Sequence, residues 1–93
     1  MRLSRANKRD ANEAQIVKAL ESIGAYVYRL DKPLDLLVGY RGKNWLLEVK
    51  GEGGRLTRAQ REFLAAWPGQ AAVIREPEEA IRIVTTGKGI KVP

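Results

Sequence analysis

The residues best suited to chemistry are Glu48 and Lys50, at the end of the apolar stretch Asn44-Trp-Leu-Leu-Glu-Val-Lys50. Side chains alternate along a strand, so Glu48 and Lys50 share one face while Trp45, Leu47 and Val49 share the other. A carboxylate and an ammonium thus stand side by side at a strand end, next to the glycine-rich Gly51-Glu-Gly-Gly54. Alone, such a pair more often marks a solvated strand surface. Asp35 changes the reading, because it is an acid in the apolar run of residues 34–40. A hairpin joining that run to the next strand can bring Asp35 close to Glu48, although the register is left open. Two adjacent carboxylates repel unless a divalent cation lies between them. The competing role for Asp35 is to cap a loop or pair with Lys32. Glu13 falls on the helical stripe of Ile16, Val17 and Leu20, and an inward-facing acid needs a partner or a metal. Arg9, one turn earlier, is the simplest partner. Gln60 sits three residues after Thr57, where it can complete a capping box and also face the end of the Glu48 strand.

What is missing narrows the chemistry. The chain has no cysteine and no histidine, which removes thiolate nucleophiles, imidazole bases and the soft metal sites built from them. Any metal must be held by oxygen, the preference of Mg²⁺, Mn²⁺ and Ca²⁺. Lys and Arg number 17 against 11 acids, for a net charge of +6. That excess suits a polyanion, either a nucleic acid or an anionic membrane surface. No apolar run approaches the roughly 20 residues needed to span a bilayer. The basic N-terminus is not followed by an apolar signal core. A cytoplasmic protein without a membrane partner is expected.

These residues need a scaffold, and 93 residues supply a single domain. Residues 10–23 have helical periodicity ending at Gly24, a favoured helix stop. Residues 25–30, 34–40 and 44–50 read as strands, the last two joined by a tight turn at Arg41-Gly42-Lys43. Thr57 opens a helix with Phe63, Leu64 and Trp67 on its buried side. Residues 70–75 form a fourth strand, and Pro77 followed by two glutamates starts a final helix. The order is αβββαβα. The crossover from residue 44 to 75 should be parallel, giving a mixed four-stranded sheet flanked by helices.

The combination is more specific than its members. Leu34-Asp35, Glu48-Val49-Lys50 and Gln60 on the following helix resemble the PD-(D/E)xK nuclease superfamily, with its restriction-endonuclease-like fold. The early helix bearing Glu13, Gly24-Ala-Tyr-Val-Tyr-Arg29, Val38-Gly39, Leu47-Glu-Val-Lys-Gly51 and Leu56-Thr-x-x-Gln60 look like its VRR-NUC branch, over residues 10 to 84. Proline usually precedes the acid directly, whereas Pro33 here lies one residue further away and contributes no chemical group. The resemblance implies that Asp35 and Glu48 hold Mg²⁺ or Mn²⁺ with the carbonyl of Val49. Glu13 would bind directly or through water. Lys50 would orient the attacking water or offset developing charge, and Gln60 would orient Lys50 or touch the phosphate. No nucleotide cofactor is implied.

The remaining positive charge is expected to grip the substrate. Residues 1–9 read as a basic arm carrying Arg2, Arg5, Lys8 and Arg9, ahead of a nuclease-like domain over residues 10–93. Arg55, Arg58 and Arg61 flank the glycine loop and the second helix. Gly51, Gly53 and Gly54 read as a flexible loop that could admit a nucleic-acid backbone. Tyr26, Tyr28 and Tyr40 could stack on bases, but strand aromatics more often fill a core. So small a domain has few side chains to spare for reading base edges, so recognition of shape is expected. Stand-alone VRR-NUC proteins resemble resolvases acting as homodimers on branched DNA, in phage or mobile-element recombination and repair. The expected activity is therefore a metal-dependent DNA endonuclease acting on branched or four-way-junction DNA. The charge suits RNA equally. The alternative is a non-catalytic nucleic-acid-binding module that keeps the fold. A peripheral membrane role fits poorly, because the first helix must spend its apolar face on the sheet.

Overall fold

A computed structural model describes residues 4–87 of the chain, and the side chains of residues 11–87. Helix α1 spans Ser4–Ser22, starting earlier than the apolar periodicity that marks it. It ends where Gly24 adopts φ +94°. Ala25 N donates to Leu20 O at 3.1 Å and Gly24 N to Glu21 O at 3.0 Å, the paired closure of a Schellman motif. Strand β1 is Tyr26–Arg29, β2 Leu36–Tyr40 and β3 Lys43–Val49. The β2–β3 turn is shorter than the expected three residues. Tyr40 pairs with Lys43, leaving only Arg41 (φ 50°) and Gly42 (φ 82°) to reverse the chain. Positive φ at both positions matches the right-handed twist of the strands.

Helix α2, Arg58–Ala66, opens on Thr57, and β4, Ala71–Ile74, leads to α3, Pro77–Thr86. The sheet order is β1-β2-β3-β4. β1, β2 and β3 are antiparallel neighbours, and β4 runs parallel to β3, as the crossover rule requires. The αβββαβα order and the mixed sheet agree with the expected restriction-endonuclease-like architecture.

Strand alternation splits the core in two. Ile16 and Leu20 of α1, Leu36, Val38, Trp45, Leu47, Val49 and Ile74 of the sheet, and Ala80, Ile83 and Val84 of α3 form one layer. On the other face, Leu34, Leu46, Leu64 and Ala71 pack beneath α2, with Phe63 and Trp67 at the margin. The rings of Phe63 and Trp67 stack at 5.2 Å. Helix α2 is short, and its Leu64 packs with Leu46 of β3, Ala71 of β4 and Leu34 ahead of β2. The β1 end of that face stays open, and Tyr26 and Tyr28 are 77% and 58% exposed. These two tyrosines therefore do not join the core as strand aromatics usually do. Tyr40 does pack against the first layer, with the Arg41 guanidinium 5.1 Å from its ring. Among the described residues no helix is long and apolar enough to cross a membrane.

Candidate active site

The β2–β3 register brings the two central acids together. Leu36 pairs with Leu47, so one step beyond the ladder Asp35 lies opposite Glu48. Both alternate onto the face that carries α2. Asp35 is 5% exposed and Glu48 is 2% exposed. Asp35 is held from both sides. Its carbonyl accepts from Leu30 N at 2.7 Å, and its Oδ2 accepts from Val49 N at 2.8 Å. The preceding Leu34, 1% exposed, anchors the loop in the layer beneath α2. That anchoring is a physical use for the leucine between Pro33 and Asp35.

Glu48 Oε2 accepts from Gln60 Nε2 at 2.8 Å and lies 3.3 Å from Lys50 Nζ. Glu48 Oε1 is buried with no hydrogen-bond partner. The Glu48 carboxyl is pushed up from 4.5 to about 7. Burial is the main cause, the Asp35 charge adds to it, and Lys50 opposes it. A buried acid pair with an orphaned oxygen is the donor set that a hard divalent cation satisfies. A cation there would offset the repulsion and occupy the unused lone pairs, so the residues present fit Mg²⁺ or Mn²⁺.

Gln60 serves both roles expected of it. Its backbone N donates to Thr57 Oγ1 at 3.1 Å and its Oε1 accepts from Thr57 N at 2.9 Å, completing the capping box. Its amide nitrogen remains for Glu48. The helix start and the carboxylate are thereby tied through one side chain.

Glu13 is largely buried, 12% exposed at its side chain, and its Oε2 lies 3.6 Å from Arg29 Nε at the end of β1. Arg29 pairs with Leu36, at the same end of the sheet as Asp35. Among the described residues no three acids converge into a metal cluster, so Asp35 and Glu48 form the centre and Glu13 is not gathered into one group with them. Arg2 lies outside the described residues, and the side chains of Arg5, Lys8 and Arg9 are likewise not described. Arg55, Arg58 and Arg61 are exposed. Arg58 pairs with Glu62 at 2.9 Å, and Arg61 Nη1 donates to Leu56 O at 3.0 Å.

The residue that sequence reasoning missed is Arg75. Its Nη1 donates to Gly51 O at 2.5 Å and its Nη2 to Gly54 O at 2.9 Å. Its own backbone N donates to Glu79 Oε1 at 2.6 Å. The glycine loop expected to be flexible is therefore fastened across both ends of its turn, in which Gly54 N donates to Gly51 O at 3.0 Å. The available signal was the parallel crossover. With Val49 opposite Ile74, the residue after β4 must lie beside the residues that follow β3.

A solved structure described as a VRR_NUC domain superposes with a TM-score of 0.67, covering 84% of this chain and 95% of that one at 22% identity. The two chains share a fold. No family profile matches the sequence, and no curated protein does.

Proposed function

We propose that the protein is a metal-dependent DNA endonuclease that hydrolyses phosphodiester bonds, and that it acts on branched DNA as a homodimer. The observation that carries the reading is the buried Asp35–Glu48 pair, with Glu48 Oε1 unsatisfied and Lys50 Nζ beside Oε2. The VRR_NUC fold similarity supports it. Asp35 and Glu48, with the carbonyl of Val49, would hold Mg²⁺ or Mn²⁺, and Glu13 would contribute through water. When bound, the ion supplies Lewis-acid polarisation of the scissile phosphate and a lowered pKa for the attacking water.

The chain's own groups do the rest. Lys50, its Nζ 3.3 Å from Glu48 Oε2, orients the water and offsets charge developing on the phosphate. Gln60 holds Glu48 in one rotamer. Arg55, Arg58 and Arg61 bind the phosphate backbone. A two-fold dimer sets two such sites against opposed strands of a junction. Such a role belongs to recombination or repair in a prokaryotic or phage-infected cell. The presence of Glu13, Asp35, Glu48, Lys50 and Gln60 together favours this reading over a binding module that has lost its chemistry.

The test is nicking of a labelled four-way junction and of a linear duplex with Mg²⁺ or Mn²⁺. The wild type should cut the junction, and Lys50→Ala should bind it but cut it more slowly by on the order of 100-fold or more. Wild-type cutting by Lys50→Ala would remove the assigned mechanism. Equal cutting of both substrates would remove the preference for branches and keep the nuclease.

A further inference from the structure

The uncovered part of the sheet beside the acid pair has a chemistry of its own. Tyr26 and Tyr28 lie two residues apart on β1, on the face opposite Val27, which packs into the α1–α3 layer. Tyr28 pairs with Leu37, itself 39% exposed, and Tyr26 pairs with Gly39, which has no side chain to shield it. Among the described residues, the layer beneath α2 draws on Leu46 of β3, Ala71 and Val73 of β4 and Leu30 and Leu34 of the segment between β1 and β2, and on no residue of β1 or β2 themselves. The result is a flat strip made of Tyr28, Tyr26 and Leu37, with the tyrosine rings mostly in solvent.

The strip leads to the site. Asp35 is two residues before Leu37 on the same face, so Tyr28 is its diagonal cross-strand neighbour, about 8 Å away between Cα atoms and within reach of an aromatic ring. The chain as a whole carries a net charge of +6. Exposed Lys32 lies at the acid-pair end beside exposed Asp31, whereas Arg29 and Lys43 alternate onto the α1–α3 face, where Arg29 meets Glu13 and the Arg41 guanidinium lies over Tyr40. A polyanion is drawn to a chain of this net charge. Aromatic rings on an open sheet face, spaced two residues apart on a positively charged protein, suit successive nucleobases of an unpaired strand. Paired bases inside a duplex present no free faces to such rings.

We infer that Tyr26 and Tyr28 form a stacking platform for unpaired nucleobases, leading single-stranded segments of the substrate toward the Asp35–Glu48 pair. This deepens the nuclease reading by naming unpaired segments, as at a gap or flap beside a branch, as a substrate feature that the protein recognises, and it rests on that reading for the direction of the strand.

The experiment measures binding in EDTA, without cleavage, of a fluorescent duplex and of the same duplex carrying a short unpaired gap. Tyr26→Leu and Tyr28→Leu should each weaken binding to the gapped DNA by about tenfold and leave the paired duplex unchanged. Tyr28→Phe, which keeps the ring, should bind like the wild type. A 2-aminopurine placed in the gap should be quenched by the wild type and recover in the double leucine variant. Equal losses on gapped and paired DNA would overturn the platform. So would a phenylalanine variant as weak as the leucine one, or leucine variants that change the sedimentation of the DNA-free protein. If the wild type discriminates as expected but nicks nothing with Mg²⁺ or Mn²⁺, the platform stands and the nuclease reading falls.

Discussion

Glu48→Gln in the metal-free protein isolates the cost of assembling the acid pair. The Glu48 carboxyl rises from 4.5 to about 7 in the fold, chiefly through burial and the neighbouring Asp35 charge. Between those two values the folded protein binds a proton that the unfolded chain has released. Stability linked to that proton is fully present below pH 4.5, declines as pH rises, and is lost once pH passes about 7. The full displacement corresponds to roughly 3 kcal/mol. Relaxation and the loss of the Lys50 contact reduce what a substitution recovers to about 1–3 kcal/mol. Glutamine keeps the shape and an acceptor for Gln60 while removing the charge. Glu48→Gln should therefore raise the melting temperature at pH 8, by about 4–8 °C for each kcal/mol in a domain of this size, and should change it little at pH 4.5. Differential scanning fluorimetry across that range, in EDTA, reads the effect directly. Adding Mg²⁺ or Mn²⁺ should invert the order, since only the wild type gains stability from binding. Parallel melting curves for wild type and variant across the whole pH range would refute the argument from burial and repulsion.

Two further substitutions probe the supports of the site. Asp35→Ala removes the acceptor of the buried Val49 N–H and should cost about 1–3 kcal/mol in urea unfolding. Asp35→Asn, which keeps an acceptor, should cost clearly less, and equal losses would show that the hydrogen bond is not what holds the loop. Arg75→Ala should release the 51–54 turn, seen as faster hydrogen exchange at the Gly54 amide. Arg75→Lys should restore that protection only in part, because a point ammonium cannot span two carbonyls as a guanidinium fork does. Unchanged exchange in Arg75→Ala would mean that the turn holds itself.

Much of the scaffold is legible locally. Thr57 and Gln60 announce the start of α2 because a capping box is a matter of residues three apart. Gly24 announces the end of α1 because only a residue without Cβ enters that φ region cheaply. Pro77 marks the first turn of α3 for a similar reason of fixed φ. The direction of β4 follows from the handedness of the crossover. The Tyr26 and Tyr28 rings were misjudged, because strand aromatics fill a core only where another element covers them. Whether α2 reaches β1 depends on its length and placement and not on the tyrosines. Arg75 was overlooked because its partners, the Gly51 and Gly54 carbonyls, lie more than twenty residues away and are backbone atoms without a sequence signature. Glu13 faces inward, as its place on the helical stripe implies. Its contact with Arg29 depends on how α1 lies across β1.

The amino-acid sequence by itself determined the order of elements, their caps and turns, and the faces on which Glu48, Lys50 and Trp45 lie, because dihedral preference, capping and alternation act over a few residues. Only the tertiary structure decided that Asp35 stands opposite Glu48, that this pair is dry enough to hold a proton near neutrality, that Arg75 closes the neighbouring loop, and that one stretch of sheet is left bare. Those properties come from strand register and desolvation, which exist only when distant segments have packed.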